Sequence, residues 1–196
     1  MNKATIEWRQ EQFWRNRIHP HKFALWVGCV SILMLFAAFT SAYIVRQGAG
    51  NWLEFQLPGL FYLSAGIIAL SSLTLHGAYL SFKQSREGRY KLLLLSTVLL
   101  GLAFVGVQYQ GWLEMFSQGL NLGRNPSSDF VYVISGVHAA HVLGGIAALL
   151  VAVVHGFALR FQPSPRRVLR LELTLTYWHF VGALWLYLLV FFILTR

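Results

Sequence analysis

The sequence is poor in the residues on which covalent cross-links and thiolate clusters depend. Its 196 residues include a single cysteine, Cys29, so a disulfide within the chain and a thiolate metal cluster are both excluded. Only seven residues are Asp or Glu, and charged residues make up 12% of the chain. No internal repeat or low-complexity tract is visible. We interpret Cys29 as a small apolar filler.

The scarcity of carboxylates also limits the chemistry. A transporter or proton pump that works alone normally keeps a carboxylate or a cation within the bilayer, and the interiors of the apolar runs contain none. The sequence has no carboxylate pair, no buried nucleophile beside a base and no glycine-rich phosphate loop. These absences argue against a free-standing transporter and against a hydrolytic or redox active site.

Long hydrophobic runs are what the sequence has in abundance, since 56% of its residues are hydrophobic. These residues concentrate in five runs, at 23–45, 58–82, 92–112, 130–158 and 171–194. Each run is long enough to cross a bilayer as a helix and is charge-free inside, apart from Glu172 one residue from the start of the last run. We predict an all-α polytopic membrane protein, a bundle of five transmembrane helices that forms a single membrane domain over 23–196.

The basic residues are distributed unequally between the two predicted sides of the membrane. Of the 16 Lys and Arg residues, 13 lie before the first run, between the second and third, or between the fourth and fifth. This asymmetry predicts a cytoplasmic N-terminus and a C-terminus outside. We therefore attribute the net charge of +9 to topology and to anionic lipid head groups, and we expect no nucleic-acid partner.

The segment 1–22 is polar and basic with interspersed aromatic residues, and it lacks the apolar core and cleavage site of a signal peptide. We expect it to be retained as an N-terminal tail. Its composition fits a short helix lying at the inner interface and fits a solvated tail equally well.

The run 130–158 carries a stripe of small residues that recur every fourth position. Such a stripe lets another helix approach closely, so we expect it to pack against protein and expect Gly144→Leu to weaken assembly. The same run holds His138 and His141, three residues apart on one face near the middle of the bilayer, where polar rings need partners. The stripe consists of Gly136, Ala140, Gly144, Ala148, Ala152 and Gly156.

The last run is rich in amphipathic rings, including Tyr177 and His179. Because the last two runs should be antiparallel neighbours, we expect His141 and His179 to meet directly or through a hydroxyl. Two interpretations stay open. The rings are packing contacts that fix helix register, or His138 or His141 and His179 bind haem in a small b-type membrane cytochrome.

Interfacial arginines and amphipathic rings also suggest contacts with lipid. Arg46 and Trp52 lie at the outer boundary, where Trp52 also fits a general aromatic belt, and His76 lies close to the inner interface. We name as lipid-binding candidates Arg46, Trp52, His76, Trp178 and Trp185.

Two motifs resemble a known family. The runs S-G-V-H-A-A-H-V-L-G-G and T-Y-W-H-F-V-G-A-L-W closely resemble the two signature helices of subunit III of the haem-copper terminal oxidases, the cytochrome c and quinol oxidases. The runs L-L-S-T-V-L-L-G-L-A-F-V-G-V-Q-Y-Q-G-W and N-P-S-S-D-F are similar to that family as well. Five spans resemble its short bacterial form.

The resemblance implies a non-catalytic subunit of a bacterial cytoplasmic membrane that carries no haem or copper, because these cofactors belong to its partner subunits. It implies packing on subunit I beside subunit II, binding of phospholipids, support of proton uptake and turnover stability in aerobic respiration, and leaves open membership of a larger respiratory supercomplex. In two places the sequence departs from the pattern. Gly111 and Gly182 stand where many relatives have a Glu and an Asp, so a proton-handling role at those positions is not expected.

Overall fold

Five α-helices account for most of the chain that the computed structural model describes, namely residues 19–158, 161 and 164–195. In chain order they are α1 (Pro20–Gly48), α2 (Gly59–Lys83), α3 (Glu87–Ser117), α4 (Pro126–Ala158) and α5 (Pro165–Leu194). All five are long and apolar enough to cross a membrane, and no strand occurs in the described ranges. The predicted all-α fold with five membrane-spanning helices is confirmed. Most of the predicted tail at 1–22 lies outside the described residues.

Local sequence signals set several helix boundaries. Pro20 and Pro165 occupy first helical turns, where the missing N–H has no partner to lose. The Oγ of Ser164 accepts the backbone N–H of Arg167 and caps α5. Each predicted span lies within one helix except that Pro58 is the N-cap residue of α2. The helices extend beyond the predicted spans because polar turns continue them past the apolar segments.

Helices α2, α3, α4 and α5 form a closed ring in which each contacts the next, and α1 lies outside the ring against α4 and α5. Consecutive helices run in opposite directions, as short connections require. Most of the largest buried side chains belong to the four helices of the ring, and α1 buries only a few residues against it, Phe36 among them. The large side chains with the least exposure include Phe36, Phe61, Phe104, Trp178, Trp185 and Phe192.

Charged side chains gather at the end of the bundle where α1, α3 and α5 begin, and we call it the basic end. Its Lys and Arg residues are Lys22, Lys83, Arg86, Arg89, Lys91, Arg166, Arg167 and Arg170. The placement of this end in the cytoplasm stays a prediction. A cytoplasmic placement would bring these basic side chains to the anionic head groups of the cytoplasmic leaflet.

Glu172 lies deeper in its helix than the sequence indicated. Helix α5 begins at Pro165, so Glu172 is about 10 Å from the helix start and not one residue from it. Its carboxylate accepts a hydrogen bond from the Tyr79 hydroxyl (2.6 Å) and pairs with the Lys22 ammonium (2.7 Å). The expected position was wrong because the basic first two turns of α5 are helical too. Glu172 therefore joins α5 to α1 and α2.

Candidate functional site

Two tryptophans of α5 form hydrogen bonds to two serines of α2. The Nε1 of Trp178 donates to Ser71 Oγ (2.9 Å), and the Nε1 of Trp185 donates to Ser64 Oγ (3.0 Å). Each serine hydroxyl in turn donates to a backbone carbonyl three residues earlier (2.8 Å). Both indole rings are 0% exposed. The prediction that Trp178 and Trp185 contact lipid is therefore wrong, because their rings and N–H groups are used inside the bundle.

The ring of His138 lies at the meeting point of four helices. It stacks on Trp185 with ring centroids 5.0 Å apart and an interplanar angle of 21°. The rings of Phe36 and Phe104 approach it edge-on at 6.2 and 6.0 Å. Neither ring nitrogen of His138 has a hydrogen-bond partner among the described residues, and the same holds for the buried side-chain amide of Gln108. Aromatic packing on several sides therefore holds this imidazole in place.

His141 and His179 face different helices. The Nδ1–H of His141 donates to the carbonyl of its own helix four residues earlier (2.8 Å), and its ring lies 5.8 Å from that of Phe36. The ring of His179 lies 5.9 Å from that of His76 on α2. The expected contact between His141 and His179 is therefore wrong. Tyr177 supplies the α4–α5 link instead, because its hydroxyl donates to the carbonyl oxygen of His141 (3.0 Å).

The predicted small-residue stripe is only partly buried within this chain. Ala140 and Gly144 are exposed, and a Cβ added at Gly136 would meet no atom within 4 Å. The close approach occurs one position further on, where a Cβ at Gly145 would lie 2.9 Å from the Trp178 ring. The stripe therefore does not face a helix of this chain along its whole length, because the rotation of α4 turns Gly145 to α5.

Sequence reasoning missed Gly101 and Gly145, which contact the Trp178 ring from α3 and α4, and the two serines that bind the tryptophans. One signal could have found the serines. Ser64 and Ser71 are seven residues apart, as are Trp178 and Trp185, so each pair covers two turns on one helix face. Matching intervals on antiparallel helices allow two hydrogen bonds at once.

The other lipid-binding candidates lie at the bundle surface or its ends. Arg46 is half-buried and donates from its guanidinium to the Gly50 carbonyl (2.8 Å). Trp52 packs edge-on against Tyr43 with ring centroids 4.6 Å apart. His76 is exposed next to His179. Whether these three contact lipid stays a prediction.

The glycines that depart from the family pattern lie at helix contacts. A Cβ added at Gly111 would lie 2.9 Å from the ring of Phe61, and one added at Gly182 would lie 3.2 Å from the hydroxyl oxygen of Ser72. Both glycines are buried. A carboxylate at Gly111 would therefore require Phe61 to move.

Comparison with known proteins identifies the family to which the chain is similar. The family model of cytochrome c oxidase subunit III matches residues 51–195. The chain is 24% identical over 174 residues to the "Probable quinol oxidase subunit 3" of Staphylococcus saprophyticus, covering 86% of this chain and 85% of that one. It is 26% identical over 162 residues to the "Probable cytochrome c oxidase subunit 3" of Nocardia farcinica, covering 80% and 78%.

A third relative is the "Cytochrome bo(3) ubiquinol oxidase subunit 3" of Pseudomonas aeruginosa, which is 27% identical over 169 residues, covering 84% of this chain and 79% of that one. The matched stretch includes four of the five helices completely and contains the histidines and tryptophans described above. The resemblance of the two signature helices is confirmed. This chain is a multi-pass protein of a bacterial membrane and belongs to the cytochrome c oxidase subunit III family.

Proposed function

We propose that this chain is a non-catalytic subunit of a cytochrome c oxidase-type haem-copper oxygen reductase in aerobic respiration, where it packs on subunit I beside subunit II. The observation that carries the proposal is the packing of His138, which is enclosed by rings from α1, α3 and α5. The polar rings of the two signature helices, α4 and α5, contact other helices of the bundle. The outer faces of the bundle are apolar and are available to partner subunits and lipid.

The alternative, a b-type cytochrome, requires a flat slot between two imidazoles. Rings that bind one iron place their nitrogens about 4 Å apart across it, given metal-to-nitrogen bonds of about 2 Å. The imidazole of His138 is enclosed by rings of three other helices, and His141 and His179 face different helices, so no two of these three imidazoles are paired across a slot. These residues do not fit a haem. We therefore propose that haem and copper belong to the partner subunits.

The facing pair of His76 and His179 is the arrangement that most resembles an axial pair, with ring centroids 5.9 Å apart. Two nearby contacts hold α2 and α5 together, the hydrogen bond from Trp178 to Ser71 and the approach of Ser72 to Gly182. A haem macrocycle inserted between the two imidazoles would force α2 and α5 apart and would break both of these contacts. The pair is better explained as a polar contact at the seam between α2 and α5.

The proposed support of proton uptake and of turnover stability is an indirect one. Gly111 and Gly182 provide no carboxylate at the two positions where many relatives have one, and both are packed against other helices. We propose that the subunit acts by holding its partner subunits and bound phospholipid in place. Membership of a larger respiratory supercomplex would use the same apolar outer faces.

Purification tests the assignment directly. An affinity tag on this chain should co-purify oxidase subunits I and II, whose haem spectrum is then seen in the complex. The chain purified alone should be colourless. A stoichiometric b-type absorption of the isolated chain, lost in His179→Ala or His76→Ala and kept in the control His155→Ala, would contradict the proposal and establish the cytochrome.

A further inference from the structure

Two polar side chains lie inside the bundle without hydrogen-bond partners. His138 on α4 is 0% exposed, and Gln108 on α3 is 2% exposed. Neither nitrogen of the imidazole and neither polar atom of the carboxamide has a partner within residues 19–158, 161 and 164–195. The large majority of buried side-chain polar atoms in proteins are hydrogen-bonded, so two unsatisfied side chains on neighbouring helices require an explanation.

Contacts on either side place these two residues at the same level of the α3–α4 interface. Toward the basic end, the ring of Phe104 lies 6.0 Å from that of His138. Toward the opposite end, the Nε1–H of Trp112 donates to Ser135 Oγ (2.9 Å). Gln108 is four residues from Phe104 and four from Trp112, on the same face of α3. This face therefore brings Gln108 between the two contacts, next to His138.

The other polar groups near this point are already engaged. Ser135 Oγ accepts from an indole and donates to a carbonyl of its own helix. The indole of Trp185, which stacks on the imidazole, donates its N–H to Ser64 Oγ. The two phenylalanine rings that meet the imidazole carry no nitrogen or oxygen. Aromatic packing thus holds the ring of His138 but leaves its two nitrogens without hydrogen bonds.

The unsatisfied groups define the chemistry of an occupant. A neutral imidazole offers one N–H donor and one acceptor nitrogen, and a carboxamide offers two N–H donors and one acceptor oxygen. An ion is disfavoured, because residues 92–113 and 130–159 contain no Asp, Glu, Lys or Arg to balance its charge. Water is neutral and small, it both donates and accepts, and a buried water typically makes about three hydrogen bonds to protein.

We propose that one buried water molecule bridges the carboxamide of Gln108 and the imidazole of His138. The water binds between α3 and α4, satisfies polar atoms of both helices and fixes the rotation of one helix against the other. This inference does not depend on the proposed function, because it concerns contacts within this chain alone.

A cryo-EM map of the purified oxidase complex, at a resolution that shows ordered water, tests the site directly. We expect a density peak within hydrogen-bond distance of both side chains in wild type. The peak should be lost in Gln108→Leu, which removes one of the two groups that bind the water.

The unfolding equilibrium of the full chain in detergent gives a second readout. Gln108→Leu should raise the unfolding equilibrium constant about tenfold, since the imidazole loses its bridge to α3. If the amide were simply unsatisfied, the same change would lower the constant, because an apolar side chain would replace a desolvated amide. Gln110→Leu is the matched control, because Gln110 is an exposed glutamine on the same helix, and it should not raise the constant.

A double-variant cycle tests whether the two residues share one partner. His138→Phe keeps an aromatic ring on Trp185 and removes both nitrogens. With a shared water, its effect and that of Gln108→Leu should not add, so the double variant should unfold no more readily than the less stable single variant. His141→Phe is the control, because the Nδ1–H of His141 is bonded within its own helix, and its effect should add to that of Gln108→Leu.

An unfolding constant of Gln108→Leu equal to or below that of wild type would overturn the proposal, and so would additive effects of Gln108→Leu and His138→Phe. Non-additive effects without a density peak in wild type would overturn it as well, since the two side chains would then bond directly. If His138→Phe does not fold, the wild-type map and the direction of the Gln108→Leu effect still decide.

Discussion

Replacing Gly145 by alanine should destabilise the bundle, whereas the same change at the adjacent Gly144 should not. A Cβ at Gly145 would lie 2.9 and 3.0 Å from two carbons of the Trp178 ring, and a Cβ at Gly144 would meet only the Tyr177 hydroxyl, at 3.8 Å. The two positions lie in the middle of the same helix, so both variants gain the same helix propensity, about 1 kcal/mol. Their difference in stability therefore reports the contacts of this Cβ with the Trp178 ring and, at 3.3 Å, with the Tyr177 ring.

The ring of Trp178 has little room to yield. Next to the carbons that face Gly145, a Cβ at Gly101 would lie 3.0 Å from Cη2 of the same ring, and the Nε1–H donates to Ser71 Oγ. Overpacking a well-packed core typically costs about 1–3 kcal/mol, and losing the hydrogen bond to Ser71 would cost about 1 kcal/mol. We expect Gly145→Ala to be less stable than Gly144→Ala by about 1–3 kcal/mol.

Unfolding of the two variants in the same detergent, followed by circular dichroism and tryptophan fluorescence, measures this difference. Phe104→Leu serves as a reference for a core change away from the glycine, because it shortens a ring that packs on His138 and Trp185. Equal stability of Gly144→Ala and Gly145→Ala would refute the reasoning. It would mean that Trp178 does not lie against Gly145, and that the rotation of α4 differs from the one described.

Three further outcomes are expected. Reporter fusions in the connections near Arg86 and Arg166 should both be cytoplasmic, and a periplasmic result for either would contradict the topology drawn from the basic residues. Gly111→Glu should lower the yield of folded protein, because Phe61 occupies the space a side chain needs, and normal yield would show that the ring can move. Gly144→Leu should leave the isolated bundle stable, so any loss of co-purifying oxidase subunits in that variant reports a partner helix on this face.

The number and place of the helices could be predicted because both depend on local composition. A run of about 20 apolar residues without interior charge has few alternatives to a membrane-spanning helix. Hydropathy determines the positions of the helix ends less well than it determines the number of helices. Helix α3 begins at Glu87, five residues before the predicted span, where Glu87 pairs with Lys91 four residues on (2.6 Å). Such polar turns are stable outside the apolar core, so hydropathy alone places the boundary too late.

The rotation of each helix could not be predicted in the same way. Successive residues of a helix differ by about 100° in direction, so Gly144 and Gly145 face different neighbours although they are adjacent in sequence. The stripe of small residues at every fourth position singled out Gly144, whereas the residue of α4 that contacts α5 is decided by where α5 places Trp178. Information about that placement lies on α2, in Ser64 and Ser71. A pattern within one helix therefore does not determine its contacts.

His138 shows why residue type did not separate a haem ligand from a packing residue. A buried polar atom without a hydrogen-bond partner costs about 1–3 kcal/mol. An imidazole with two such nitrogens therefore suggests a residue that binds a metal. The stack on Trp185 and the edge contacts with Phe36 and Phe104 offset that cost, since each aromatic pair contributes about 0.5–1.5 kcal/mol beyond burial. The rings that compensate the imidazole come from three other helices and enclose it on several sides. The same contacts thus stabilise the bundle and give His138 a packing role, which is the role that our proposal of cofactors in the partner subunits assumes.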